Sequence, residues 1–277
     1  MPELPEVEHV VRALRRAVLG RQIVAVEIRL AKLVSPTSTS IFIRKLRNAR
    51  IESVGRRGKY ILIELDSNRV LAVHLRMTGQ FLVLTPDDPL PPHAHAIFYL
   101  DDERRLVFRD QRQFGVMKLV ARSQLSQTKG IKELAPEPFS DDFNVAYLRE
   151  TFARSRRTLK TLLLDQTRVL GLGNIYAAEA LFRARINPFK IASELSSRRV
   201  ERLHQAIRDV LRAAVSGNSA RRINLENPNA FSYGEAFGKV WQVYEREGEP
   251  CFKCGTRIRR LTHGGRSTYW CPSCQRR

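Results

Sequence analysis

Four cysteines lie in the last 27 residues of this 277-residue chain, as Cys251-x-x-Cys254 and, after 16 intervening residues, Cys271-x-x-Cys274. Each pair can sit on a tight knuckle that turns two thiolates toward one ion, and the interval between pairs suits a β-hairpin. One structural zinc held by four sulfurs is therefore expected. Two disulfides, or four unused thiols, are the other readings of the same count. Around the cysteines stand Lys253, Arg257, Arg259, Arg260, Arg266, Arg276 and Arg277, with no acid among them. A hairpin so charged reads as a nucleic-acid finger, against the plainer alternatives of a protein-binding ribbon or a solvated basic face.

The other end of the chain offers a different chemistry. Removal of Met1, usual before proline, would expose the secondary amine of Pro2, with Glu3 and Glu6 close by. A secondary amine that attacks an aldehyde-like carbon gives an iminium, which is cationic without protonation and draws electrons from neighbouring bonds. An ordinary α-amine is roughly one-third neutral near pH 7.5, whereas a lysine is about one-thousandth neutral. N-terminal proline is somewhat more basic than the ordinary α-amine, yet the advantage survives. The bland reading is that Pro2 and Pro5 only start a helix and that the glutamates favour its N-terminus. On the residues alone that reading is the stronger.

A third signal is Gly171-Leu172-Gly173-Asn174 leading into a helix. Glycines let a phosphate approach the backbone, Asn174 can cap, and a helix N-terminus supplies donors. A Gly-rich turn is more often only a turn. The basic run Arg154, Arg156, Arg157 and Lys160 strengthens the phosphate reading.

These groups need a scaffold, and composition says one exists. The chain is 43% hydrophobic and 27% charged, enough for a sizeable core and room for two domains. It is too long for four cysteines to staple. No apolar run approaches the roughly 18 residues of a membrane span, and the N-terminus lacks a signal-peptide pattern. With 48 Lys+Arg against 28 Asp+Glu the net charge is +20. Such an excess points to a polyanionic partner, with a basic but merely well-solvated protein as the alternative.

Along the chain, Val7, Val10, Val11, Leu14 and Val18 trace one helical face, and Gly20 suits its stop. Period-2 alternation at Val24, Val26, Ile28 and Leu30 begins a series of short strands. They recur at Tyr60–Leu65, Val70–Met77, Phe81–Leu84, Ile97–Leu100, Leu106–Phe108 and Val116–Val120, as in a β-sandwich or barrel. Thr85–Pro92, with four prolines, reads as a surface loop. The expected domains are residues 1–130, a linker at 131–140, a helical domain at 141–248, and a finger at 249–277. Within the helical stretch, helices are expected at Val145–Arg154, Leu159–Asp165, after Gly173, and at Arg198–Val215.

The opening Met1-Pro2-Glu3-Leu4-Pro5-Glu6-Val7-Glu8 resembles the start of the bacterial formamidopyrimidine-DNA glycosylases. The resemblance continues through Arg56-Arg57-Gly58-Lys59-Tyr60, His74-Leu75-Arg76-Met77, Arg112-Gln113-Phe114-Gly115, Pro136-Glu137-Pro138, Gly171 to Ala177, Gln242-Val243-Tyr244 and the finger. It implies an α+β fold: an N-terminal β-sandwich with a leading helix, a helix–two-turn–helix domain and a zinc-finger hairpin, with DNA between the lobes. It also implies a bifunctional glycosylase and AP lyase that excises oxidised purines from duplex DNA in base excision repair. Pro2 would be the Schiff-base nucleophile, Glu3 the proton donor for base loss, and Glu6 a support. Lys59 and Arg266 would donate protons in β- and δ-elimination. Lys59, Asn174 and Arg266 would hold phosphates, and His74 belongs to the DNA-binding set. Met77, Arg112 and Phe114 would fill the gap left by the extruded base, which makes physical sense because flipping leaves apolar surface and an orphan base. Core packing, or a solvated charge, is the plainer reading of each of the three.

By the same resemblance the partner is double-stranded DNA carrying oxidised bases or abasic sites, the ion is one zinc, and the protein is a cytoplasmic, nucleoid-associated bacterial monomer without membrane contact. The chain also departs from the pattern. Gln113 stands where the family usually has Arg or Lys, Gly217-Asn218-Ser219-Ala220 replaces a more usual Gly-Gly and two hydroxyl residues, and the loop at Asn224–Tyr233 is atypical. These touch lesion preference, not reaction type. Two rival readings are an endonuclease VIII-like glycosylase for oxidised pyrimidines, whose opening resembles Pro-Glu-Gly-Pro, and a non-catalytic zinc-finger DNA-binding protein. Leu4 with the Met77, Arg112 and Phe114 set speaks against the first. Pro2, Glu3 and Lys59 together speak against the second.

Overall fold

A computed structural model describes residues 1–216, 223–226 and 241–276, which fall into two compact units. Residues 217–222 and 227–240, and Arg277, lie outside the described residues. The atypical Gly217–Ala220 stretch and most of the Asn224–Tyr233 loop fall there.

The first unit covers residues 1–132 and takes in the segment 223–226. It opens with helix α1 (Leu4–Val18), whose Val7, Val10, Val11, Leu14 and Val18 are all buried. The helical face read from spacing is the face that enters the core, where each such side chain contributes about 1.5–3 kcal/mol. Strand β1 (Ile23–Ile28), helix α2 (Thr39–Leu46), and strands β2 (Ile51–Arg57), β3 (Tyr60–Leu65) and β4 (Arg69–His74) follow. Next come β5 (Gln80–Leu84), β6 (Ala94–Leu100), β7 (Arg105–Arg109) and β8 (Val116–Ala121). They build two antiparallel four-stranded sheets, ordered β1-β6-β7-β5 and β2-β3-β4-β8. Side chains from both sheets, Phe98, Phe108 and Phe81 with Ile61, Ile63 and Val73, meet in one core. This is the expected sandwich.

Sequence periodicity does not reveal α2 or β2. The β-branched residues of α2 mask its helical period, and β2 ends in Gly55-Arg56-Arg57, which reads as a turn. Met77 is not in a strand, because β4 stops at His74 and the chain turns through Arg76, at φ 56°, and Gly79. One segment distant in sequence completes this unit. The Val83 N–H donates to the Leu225 carbonyl at 2.8 Å on edge strand β5, and Ile223 and Leu225 bury into the sandwich core.

The second unit is helical. It contains α3 (Val145–Ala153), α4 (Leu159–Leu163), α5 (Asn174–Arg183) and α6 (Ser197–Ser216), packed around Phe143, Phe152, Leu163, Leu181 and Leu211. The finger hairpin, β9 (Arg259–His263) and β10 (Arg266–Trp270), turns at Gly264-Gly265, both at positive φ as a two-residue type I′ turn requires. The finger packs onto α5 through Phe182, Ala178, Ile258 and Cys271. Buried Gln275 also bonds the Ile186 carbonyl at 2.9 Å. Among the described residues no helix is long and apolar enough to cross a membrane.

Candidate active site and nucleic-acid interface

Helix α1 begins in a reciprocal capping box. The Glu3 side chain accepts the Glu6 N–H, and a Glu6 carboxylate oxygen accepts the Glu3 N–H at 2.7 Å. Pro2, Glu3 and Glu6 are all buried, with Glu3 only 2% exposed, while Met1 projects at 44%. The box fixes the peptide that follows Pro2, so Glu6 orients the chain start while Glu3 presents a carboxyl beside it.

Two contacts set the direction of α1 against β2. The Arg15 guanidinium donates to the Val54 carbonyl at 2.7 Å, and Arg56 pairs with Glu8 at 2.8 Å. As α1 is followed backward β2 runs forward, so the helix start points toward the turn after Arg57. Burial alone would raise the Glu8 carboxyl, but hydrogen bonds from Arg56 and Arg12 hold it below its ordinary value. That turn has only two residues, Gly58 and Lys59, with Gly58 at φ 56°. Positive φ at the first turn position suits glycine and delivers Lys59 just before β3. Lys59 is 4% exposed, so its ammonium is held within the unit and not spread on its surface.

His74 stands opposite Tyr60 across β3 and β4, the rings edge to face at 4.7 Å. Burial, then the charges of Arg76 and Lys59, push its pKa down to about 3. The ring is therefore neutral at physiological pH. Its Nδ1 accepts the Arg76 N–H at 3.0 Å, so the proton sits on Nε2. His74 can donate one hydrogen bond but offers no positive charge.

Met77, Arg112 and Phe114 are exposed on two neighbouring loops, Met77 at 39% and Phe114 at 51%. The Arg112 guanidinium lies 5.0 Å from the Phe114 ring centroid. Each loop contains a non-glycine residue in left-handed backbone, Arg76 beside Met77 and Gln113 between Arg112 and Phe114, both at φ 56°. Such strain, about 1–2 kcal/mol per residue, persists only where the surroundings enforce it.

Sequence reading missed the residue that does so. Asp110, 1% exposed, accepts the Gly115 N–H at 2.7 Å and the Thr78 hydroxyl, and Thr78 in turn accepts the Arg112 N–H at 3.1 Å. The two loops can close in because a Cβ on Gly79 or Gly115 would sit 2.8 or 2.7 Å from the Phe108 ring. No sequence pattern marks Asp110, since its partners come from separate segments.

In the second unit the Gly-rich turn is clamped by Gln166, whose amide donates to the Leu172 carbonyl at 2.8 Å and accepts the Gly171 N–H at 3.0 Å. Asn174 does not cap α5; Gly173 does, and Asn174 is the first helical residue. Its amide instead bridges two elements. Oδ1 accepts from Lys160 Nζ at 2.8 Å, and Nδ2 donates to the Ser267 carbonyl at 3.0 Å, next to exposed Arg266. Asn174 and Arg266 are thus brought together. Lys160 is fully buried, so it acts through Asn174 and is no direct phosphate ligand. Glu179 is a second residue that sequence reading passed over. Its carboxylate accepts the backbone N–H groups of Gln242, Val243 and Tyr244 at 3.0–3.1 Å and ties the approach to the finger onto α5. An acid in the otherwise apolar α5 sequence was the available signal.

The four cysteine sulfurs lie within 4.8 Å of one another, and Cys254 stands 3.5 Å from both Cys271 and Cys274. A tetrahedron of sulfurs about 2.3 Å from zinc has edges of roughly 3.8 Å, so the cluster fits this ion, and disulfides are excluded by distance. Hydrogen bonds from Thr256 draw Cys254 down to about 6, whereas burial and then the neighbouring sulfurs push Cys274 up to about 12. Thiols this close cannot all ionise unless a dication joins them. Zinc removal, or Cys271→Ser, should melt the finger and weaken DNA binding because Arg266 loses its support, while leaving the sandwich folded. Undiminished DNA affinity in metal-free protein would refute the coupling.

A sandwich with enclosed acid and base groups, followed in the same chain by a helical unit with a basic four-sulfur finger, defines a zinc-finger DNA enzyme. Residues 1–117 match the formamidopyrimidine-DNA glycosylase N-terminal domain, residues 134–224 the H2TH domain of the same enzymes, and residues 248–277 the zinc finger found in FPG and IleRS. A formamidopyrimidine-DNA glycosylase of Pelotomaculum thermopropionicum is 45% identical, covering 100% of this chain and 99% of the relative. The Lactococcus lactis Fpg in complex with abasic-site DNA superposes with a TM-score of 0.89 at 34% identity, over 99% of this chain and 100% of that one. The wild-type Lactococcus lactis protein with N7-benzyl-Fapy-dG DNA gives 0.89 at 34% identity over both whole chains. The chain belongs to the formamidopyrimidine-DNA glycosylase family. It is a DNA glycosylase of base excision repair with one structural zinc, as the sequence resemblance implied.

Proposed function

We propose that the protein removes oxidised purines, 8-oxoguanine and formamidopyrimidines, from duplex DNA and then cuts the strand by β,δ-elimination. The observation that carries this reading is the buried Pro2-Glu3-Glu6 start, aimed by α1 toward the Lys59 turn. With Met1 attached the Pro2 nitrogen is an amide; with Met1 removed it is a secondary amine. That amine attacks C1′ of the damaged nucleotide, the bond to the base breaks, and Glu3 manages the proton of base loss and ring opening. The resulting iminium acidifies C2′–H, whose loss expels the 3′ phosphate, and a second elimination expels the 5′ phosphate. Lys59 and Arg266 hand protons to these two departures, and Glu6 keeps the chain start in place. Met77, Arg112 and Phe114 occupy the space of the extruded base, and His74 Nε2–H and Asn174 hold the backbone. Catalysis is assigned to residues 1–130, with 131–140 as linker, 141–248 as DNA-binding domain apart from residues 223–226, which pack in the first unit, and 249–277 as finger. The setting is the bacterial cytoplasm.

A duplex with one 8-oxoguanine opposite cytosine tests the reading. Cleavage leaving phosphates on both sides of a one-nucleotide gap is expected. An uncut strand, or cutting confined to oxidised pyrimidines, would replace this reading by one of its rivals. Affinity should also fall steeply with salt. If about 5 phosphates are neutralised, the log–log slope is roughly −4 to −5. Arg266→Ala should make it shallower by about 1, whereas deeply placed Lys59 should matter more to rate than to slope.

A further inference from the structure

The second unit carries another concentration of positive charge, at the opposite end of α5 from Asn174. A concavity of about 460 Å³ is lined by Arg185, Arg199, Lys253 and Arg276, beside the knuckle residues Cys254 and Cys274. No carboxylate lines it, and among the described residues none of the four cations forms an ion pair. Helix α5 starts at Asn174, and Arg185 follows two residues past its last residue. At 1.5 Å per residue the pocket lies about 15 Å along the helix from the Asn174–Arg266 pair. A phosphate held there is not one held here.

Charge balance excludes the simplest explanation. A zinc ion with four thiolates carries −2, and the four cations lining the pocket supply +4. Arg198 and Arg202, both exposed at the start of α6, add two cations against the one acid between them, Glu201. Partial desolvation, then the charges of Arg199, Arg185 and Arg198, bring Arg202 below the ordinary arginine value, so these guanidiniums lie close enough to repel one another. The cluster therefore exceeds what the metal centre needs, and an arriving anion would relieve it.

We propose that this pocket holds a phosphate of a second DNA segment while a first lies along the Asn174–Arg266 face, so that the enzyme passes between duplexes without an intervening free state. Three of the four cations are guanidiniums, whose forks fit phosphate oxygens. The lining has no large apolar side chain to anchor an acidic peptide, which favours DNA over protein. The inference goes beyond the proposed excision chemistry but takes from it the position of the first duplex.

The test is a chase with undamaged DNA. A labelled undamaged duplex is bound, and its release is followed as unlabelled duplex is raised a hundredfold. The wild-type release rate should climb severalfold, while that of Arg185→Ser/Arg199→Ser should stay flat with 8-oxoguanine cleavage unchanged. Arg276→Ser, at an exposed side chain bonded, among the described residues, only to the Ser273 carbonyl, gives an intermediate slope and serves if the double variant loses zinc. Equal acceleration in wild type and variants would overturn the proposal, as would acceleration by polyglutamate as effective as that by duplex. Because the chase uses undamaged DNA, it reads out even if the excision assay fails.

Discussion

Borohydride added to the protein with abasic-site DNA should leave a covalent adduct that maps to residue 2. The expectation rests on three features: the amine that Met1 removal would expose, the Glu3 carboxyl beside it, and the capping box that holds both. Blocking the N-terminus should abolish the effect. A chain that keeps Met1, or carries an N-terminal tag, has no amine at position 2 and should neither excise nor cut. Pro2→Gly retains a primary amine and should keep partial trapping. Glu3→Gln should separate the steps, losing base excision by about 10²–10⁴-fold while abasic-site cleavage survives better, because its proton matters chiefly before the base has left. An adduct on Lys59 or any other lysine would move the nucleophile while leaving a glycosylase in place.

The second large effect belongs to the exposed loops. Phe114→Ala should slow excision of an intact lesion by roughly 10- to 100-fold, since extruding a stacked base costs a few kcal/mol and each 1.36 kcal/mol is tenfold in rate. Cleavage at a preformed abasic site should change much less, because no base has to leave the stack. Asp110→Ala should reproduce that asymmetry from a distance. It leaves the Gly115 N–H and the Thr78 hydroxyl without their acceptor, at a cost of about 1–3 kcal/mol of stability, and releases the backbone that aims Arg112 and Phe114. Equal losses on both substrates would make Phe114 and Asp110 packing residues of the sandwich.

Sequence alone carried the elements whose evidence is local. The α1 face, the repeated strands and the paired cysteines each announce themselves within a few turns or knuckles. What stayed hidden depends on partners far apart in the chain. Lys160 reads as one more cation in a basic run, and only folding shows it buried against Asn174. His74 reads only as a member of the DNA-binding set, and folding shows that burial beside Arg76 and Lys59 keeps it neutral. Met77 looks like a strand residue until β4 is seen to end at His74. The capping box is the intermediate case, since Glu3 and Glu6 are spaced for it but their burial is not written in the spacing.

The return of Ile223 and Leu225 to the sandwich bears on how this protein can be divided. Its first half is not an uninterrupted stretch of gene. A polypeptide ending at residue 132 contains every strand of both sheets, yet lacks two side chains of their shared interior and the carbonyl that occupies the margin of β5. Ribosomal synthesis meets the same condition. The eight strands leave the exit tunnel well before residues 223–225 exist, so a bare sheet margin must wait for them, open to other chains meanwhile. The short descending segment thus makes completion of the first unit conditional on translation of most of the second.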